Sequence, residues 1–200
     1  VERSTCCDNT ATEHAMMAKL MQDSLITWAK DYRIDSFRFD LMGHQPKSTM
    51  LAIQEALQAI AKRPVPFIGE GWNFGEVANH QRFEQASQLA LAGSGIASFS
   101  DRARDALRGG SAGDASQALL DNAGFLHGRS NPEIRSWLLC GLAGSLSDFE
   151  LLQWRTLAEP SLERSPRSLR DIDYKGQPCG YVAEPGEVVN YVENHDNHTL

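Results

Sequence analysis

The sequence predicts an α/β fold with parallel strands, and three observations predict it. Short apolar runs with strand character occur near 36–40, 66–70, 96–100 and 188–193, and polar or charged residues follow each. Between the first three lie stretches whose apolar residues recur at three and four positions, the period of a helix face. Strand, loop, helix, strand at this spacing is a βαβ unit, which makes its strands parallel. Two successive strands then end on carboxylates, Asp40 and Glu70, at the same end of one sheet. Barrel enzymes place catalytic groups at such strand ends.

Composition narrows the class. The chain has 200 residues, 42% of them hydrophobic, enough to bury a core. Its net charge of -7 argues against nucleic acid and against an anionic membrane surface. No apolar run approaches the ~20 residues of a membrane span. The chain begins at Val1 rather than Met and stops at Leu200 directly after a dense polar cluster, so an internal piece of a longer chain is expected. The four cysteines, Cys6, Cys7, Cys140 and Cys179, show no zinc-ligand spacing. Adjacent Cys6 and Cys7 suit a vicinal disulfide, separate partners or free thiols, which leaves the redox compartment open.

The elements follow in order. Thr10 and Glu13 have capping-box spacing. Behind them Met16, Met17, Leu20, Met21, Leu25, Trp28, Ala29 and Tyr32 predict one apolar helix face. In Ser36-Phe37-Arg38-Phe39-Asp40 the two phenylalanines alternate with polar residues, the period of a strand. Gly43 and Pro46 mark a loop, and Ser48 is placed to cap a helix carrying Leu51, Ala52, Ala56, Leu57 and Ile60. That helix stops before Pro64, and Val65 to Ile68 forms the next strand. A third helix is predicted over 81–91, with Phe83, Ala86, Leu89 and Ala90 on one side and Gly93 as its stop. A short strand at 95–100 leads into Asp101-Arg102-Ala103-Arg104-Asp105, read as a solvated helix start. Residues 108–130 read as a long, partly helical loop. Asn131-Pro132-Glu133 then opens a helix with a cap, Pro in the first turn and an early acid. Ile134, Trp137, Leu138 and Leu142 are its apolar side. Residues 145–185, punctuated by Pro and Gly, read as an irregular insertion. Val188 to Val192 predicts a last strand, ending on His195, Asp196, Asn197 and His198.

The candidate chemistry sits at the strand ends. Arg38, two residues before Asp40, projects from the same strand face, where a cation favours the charged carboxylate. Glu70 is flanked by Gly69 and Gly71, which let backbone or ligand approach closely. Trp72 offers an apolar ring beside that carboxyl, a setting that suits a general acid, or a surface for a sugar to stack on. Three strand ends thus carry Asp40, Glu70 and Asp196, a set that suits glycoside hydrolysis. The spacing of His195, Asp196 and His198 is poor for a metal, and none is expected.

These residues carry a specific resemblance. Asp35-Ser-Phe-Arg-Phe-Asp-Leu-Met-Gly-His44, Phe67-Ile-Gly-Glu-Gly-Trp-Asn73 and Asn190-Tyr-Val-Glu-Asn-His-Asp-Asn-His-Thr-Leu200 resemble three sequence regions of the α-amylase superfamily of glycoside hydrolases. The likeness is strongest to its pullulanase and limit-dextrinase branch. It extends to Thr5 through His14, Phe99-Ser-Asp-Arg102 and Arg108-Gly-Gly110. Ser36 departs from it, standing where the family usually has Gly. The resemblance implies a (β/α)8 TIM barrel, of which 1–200 would supply about the central-to-C-terminal half as one partial catalytic domain. It implies Asp40 as nucleophile, Glu70 as acid/base and Asp196 as transition-state stabiliser. Arg38 would hold Asp40, His195 and Asn197 would bind substrate, and His44 and Trp72 would line the cleft. The implied partner is an α-glucan polysaccharide or oligosaccharide cleaved at α-1,6 branch linkages with retention. No cofactor is required for that chemistry, although many members bind structural calcium. With half a barrel missing, the isolated chain is expected to be inactive.

Two readings from other classes stand beside this one. A non-catalytic glycan-binding relative would not need all three carboxylates. A metal-dependent hydrolase would use His195, Asp196 and His198, and would respond to chelators. Another α-glucosidase of the same superfamily shares the motifs and differs only in linkage.

Overall fold

The computed structural model describes residues 8–111, 114–152 and 166–196. It forms two compact units, Val1–Phe99 and Ser100–Leu200. Cys6, Cys7, Asn197 and His198 lie outside the described residues.

The first unit is α/β with parallel strands. Helix α1 (Ala15–Lys30) precedes strand β1 (Phe37–Phe39), helix α2 (Lys47–Ala61), strand β2 (Phe67–Gly69) and strand β3 (Ala97–Ser100). Strand β2 lies between β1 and β3 and is parallel to both, with Phe37 opposite Phe67, Phe39 opposite Gly69, and Gly69 opposite Ser98. The Phe-Arg-Phe alternation has the predicted consequence. The rings of Phe37 and Phe39 both pack against Phe67, with centroids 6.2 and 4.9 Å away. Below them Met50, Ile53 and Leu57 of α2 join Met42, Val65, Phe67, Ala86, Leu91 and Ile96 in one core.

Several local expectations fail here, each for a tertiary reason. The Thr10 capping box does not form. The Thr12 hydroxyl instead donates to the buried side chain of Gln45, and α1 starts only after His14. The buried side of α1 is narrower than predicted. Met21, Leu25, Ile26 and Ala29 reach the core, whereas Met16, Leu20, Trp28 and Tyr32 are exposed. Ser48 does not cap α2, because Pro46 occupies the N-cap and Ser48 lies inside the helix. The buried stripe of α2 is Met50, Ile53 and Leu57, and Ile60 is exposed.

The predicted helix over 81–91 is absent. A 3-10 segment, Gly75–His80, is followed by turns. Much of the chain there bonds to distant groups, and the Leu91 N–H to Ser87 O bond at 3.0 Å, which has the helical i to i−4 spacing, builds no helix. The Ala86 N–H donates to Gln45 O at 2.8 Å and the Gln88 N–H to Gly71 O at 2.9 Å. The Gln85 and Gln88 side-chain amides donate to Gly43 O at 2.8 Å and Phe99 O at 2.7 Å. With the Ala86 and Gln88 N–H groups committed elsewhere, a continuous i to i−4 ladder over 81–91 cannot form.

The second unit packs helix α3 (Asp101–Arg108) against helix α5 (Pro132–Leu142), with a short helix α4 (Ser116–Asp121) between them in sequence. The cap of α5 is as predicted, with Asn131 Oδ1 accepting the Ile134 N–H at 2.7 Å. Its buried residues are Trp137, Cys140 and Gly141, and Leu142 at its end is exposed. Strands β4 (Glu150–Leu152) and β5 (Pro166–Ser168) pair antiparallel, as do β6 (Asp173–Tyr174) and β7 (Gln177–Pro178). Strand β8 (Val188–Asn190) closes the described elements. Ala106, Trp137, Leu169, Tyr174 and the free thiols Cys140 and Cys179 form the core.

The charged start of α3 is not solvated. Arg102 is fully enclosed, and Arg104 and Asp105 are each 5% exposed. The Arg102 guanidinium sits 4.5 Å from the ring centres of both Tyr174 and Tyr181 and donates to Pro178 O at 2.8 Å. Burial works to lower its pKa, but Asp101 and the two tyrosines outweigh burial and leave it raised. A charge run reads as solvent-facing only where no partner is available, and here Asp101, next to Arg102, is joined by tyrosines about 70 and 80 positions further on. Among the described residues no helix is long and apolar enough to cross a membrane.

Candidate active site

Parallel register assembles the first part of the site. Phe39 lies opposite Gly69, so Asp40 and Glu70, each one residue further, leave adjacent strands side by side. A carboxylate oxygen of Asp40 lies within 4.8 Å of one of Glu70. Arg38 spans the two. One guanidinium nitrogen donates to Asp40 Oδ1 and the other to Glu70 Oε1, the latter at 2.7 Å. Its guanidinium carbon stands 5.6 Å from the centre of the Phe99 ring. A planar fork can serve two carboxylates in this way, where a lysine ammonium would act as a single point charge.

The two carboxylates sit in unlike surroundings. Asp40 is 61% exposed and Glu70 is 2% exposed. The second Glu70 oxygen accepts the Leu41 N–H at 2.9 Å. Leu41 adopts a left-handed backbone, φ 47°, a conformation a leucine takes only when its surroundings impose it. That turn aims the N–H at Glu70, and nothing in the sequence announces it. Phe99 was likewise invisible as a site residue, because its partner is two strands away.

The glycines around Glu70 are there for close approach. A Cβ on Gly43 would stand 2.1 Å from the Trp72 carbonyl oxygen, and one on Gly71 would stand 2.7 Å from the Gln88 nitrogen. Both obstacles are backbone, so a methyl must displace chain. Gly71→Ala is expected to disrupt the Gln88 N–H to Gly71 O bond and to cost about 1–3 kcal/mol. Thermal unfolding measures this, and an unchanged Tm would show that the 87–88 segment yields freely.

His44 is fully enclosed. Its Nδ1 faces the Asn9 side-chain amide at 2.8 Å, and its ring packs on Phe74 with centroids 4.6 Å apart. Burial lowers its pKa, partly offset by Glu76. Trp72 is half-buried.

In the second unit His195 Nε2 and Asp196 Oδ1 are 3.1 Å apart, and both side chains are more than half exposed. The Asp196 N–H donates to Asn194 Oδ1 at 3.2 Å, a local turn that shapes the strand exit. Asn197, the remaining predicted substrate residue, is not among the described residues.

No protein-family model matches the chain. It does match a pullulanase of Klebsiella pneumoniae at 43% identity over 213 residues, all of this chain and 18% of that protein. Its homologues are pullulanases. A chloroplastic pullulanase of Arabidopsis thaliana is 36% identical, matching all of this chain with 22% of its own length. Among solved structures, PulA from Klebsiella oxytoca superposes on all of this chain and 19% of its own with a TM-score of 0.87 at 42% identity. A Klebsiella pneumoniae pullulanase complexed with maltotriose superposes on 98% of this chain and 19% of its own, with a TM-score of 0.85 at 41% identity. The chain thus spans about a fifth of the length of these pullulanases.

Proposed function

We propose that this chain is part of the catalytic domain of a retaining glycoside hydrolase that cleaves α-1,6-glucosidic branch linkages in pullulan, amylopectin or limit dextrins. The observation that carries it is the in-register pair Asp40 and Glu70, bridged by Arg38, with carboxylate oxygens within 4.8 Å. Retaining glycosidases hold their two carboxyl groups about 5–5.5 Å apart, whereas inverting enzymes need roughly 6.5–9.5 Å to admit a water. The pullulanase homologues support the substrate class. The parallel strands, each exiting onto polar residues, support a place in a (β/α)8 barrel, with 145–185 as an insertion.

The chemistry proceeds in two steps. The Asp40 carboxylate attacks the anomeric carbon while the bond to the branch oxygen breaks, and Glu70 gives that oxygen its proton. The Glu70 carboxylate then takes a proton from water. The resulting hydroxide attacks the same carbon and releases Asp40. Two inversions leave the α configuration. Arg38 keeps Asp40 aimed, Trp72 flanks the sugar, and Asp196 with His195 and Asn197 holds sugar hydroxyls as charge develops at the ring.

The test uses the full-length parent and pullulan. Proton NMR of the first-formed reducing ends is expected to show the α anomer. A first-formed β anomer, or no cleavage at all, would overturn the reading. Residues 1–200 expressed alone are expected to release no reducing ends, since about half of the strands of a closed barrel would be absent. Turnover by that piece would sink the partial-barrel assignment.

A further inference from the structure

We propose that Arg104 is a positioning residue for the strand end that carries Asp196, acting through the hydroxyl of Tyr191. The inference rests on the role given to Asp196 above. It starts from the cost of placing Arg104 and Asp105 where they are. Each is 5% exposed, and a buried ion pair loses its hydration, so well-packed apolar residues often stabilise a fold as well or better. What apolar residues lack is direction.

The polar contacts of this pair do have direction. Arg104 Nε donates to Asp105 Oδ1 at 2.8 Å, which fixes the plane of the guanidinium. Arg104 Nη1 then donates to the Tyr191 hydroxyl at 2.7 Å, with the guanidinium carbon 5.7 Å from the ring centre. The other Asp105 oxygen accepts from the Tyr174 hydroxyl and the Lys175 ammonium, each at 2.6 Å. Asp105 is thus held by three donors and is not free to swing with the arginine.

Tyr191 directly follows β8 and stands five positions before Asp196. Its neighbour Asn190 is tied separately, donating from Nδ2 to Gly141 O at 2.8 Å. The exit of β8 is therefore gripped at two consecutive residues, Asn190 by α5 and Tyr191 by α3. Beyond Tyr191 the Asp196 N–H donates to Asn194 Oδ1, and His195 Nε2 stands 3.1 Å from Asp196 Oδ1. The hydroxyl of Tyr191 ties that exit to the buried helix α3. Removing it leaves Asp196 present and charged but less well aimed. Arg104 does not touch the reacting atoms in this scheme.

The experiment compares four variants of the full-length parent on pullulan. Asp196→Asn is made first and is expected to lose turnover, which checks the role of Asp196 itself. Tyr191→Phe keeps the ring and removes only the hydroxyl. Arg104→Met removes the donor, and Arg104→Lys restores a cation. Tyr191→Phe and Arg104→Met are expected to lower kcat roughly ten- to a hundredfold with KM within about threefold, because misplacement costs transition-state contacts and spares ground-state binding. Arg104→Lys is expected to recover part of kcat. Should Arg104→Met fail to fold, Tyr191→Phe decides, since it deletes one oxygen. Asp196→Asn inactive with Tyr191→Phe within about twofold of the parent in kcat, or changed only in KM, overturns this inference and leaves the hydrolase reading standing. Asp196→Asn within about tenfold of the parent overturns the role of Asp196 beneath it.

Discussion

Asp40→Asn in the full-length parent is expected to lose about a millionfold in turnover on pullulan, the scale seen when a hydrolase loses its covalent nucleophile. The substitution keeps the shape of the side chain. An amide oxygen can still accept from Arg38, so the fork that also holds Glu70 through Oε1 stays in place. What is lost is the pair of electrons that attacks the anomeric carbon. Asp40 is 61% exposed, so the change leaves no buried group unsatisfied, and stability is expected to move by no more than ~0.5 kcal/mol. Calorimetric titration with maltotriose is expected to give an affinity near that of the parent, because binding does not use the nucleophile's charge. Residual turnover within about tenfold would rule out Asp40 as nucleophile. A collapse of maltotriose affinity would instead give Asp40 a ground-state role.

That prediction rests on features that were legible in the sequence for a definite reason. Phe37 and Phe39 fix which side of β1 is buried, and the βαβ spacing fixes β2 as its parallel neighbour. Once both are set, the positions of Asp40 and Glu70 follow from register alone. The Asn131 cap of α5 was readable because it is a contact over three residues. Legibility ends where the partner is remote. The 81–91 segment has helical periodicity, yet Gln85 and Gln88 are recruited by Gly43, Gly71 and Phe99. The charges of α3 read as solvent-facing because Tyr174, Tyr181 and Tyr191 are far off in sequence. His44 stands beside the site in sequence, and only the fold shows that Asn9 and Phe74 enclose it. Periodicity says that one side of an element is covered, but not by what.

Glu70→Gln is expected to lower turnover on pullulan by roughly 10²–10⁴-fold, the usual share of a general acid. The site also predicts a structural penalty that Asp40→Asn lacks. Glu70 is 2% exposed and both its oxygens accept, one from Arg38 at 2.7 Å and one from the Leu41 N–H at 2.9 Å. A glutamine has only one acceptor oxygen, so its NH₂ must face one of those donors. The buried clash is expected to cost about 1–3 kcal/mol and to lower Tm accordingly. Leaving-group dependence separates the chemical role from this damage. A general acid matters in proportion to the basicity of the oxygen it protonates, so a sugar fluoride, which leaves with little help, needs it least. Glu70→Gln is therefore expected to retain far more of its kcat/KM, which reports the step in which the leaving group departs, on α-maltosyl fluoride than on pullulan, while Asp40→Asn fails on both. Equal losses of kcat/KM on the two substrates would make Glu70 a scaffold for Arg38 and Leu41 and not the acid, and an undiminished rate on pullulan would remove it from the mechanism altogether.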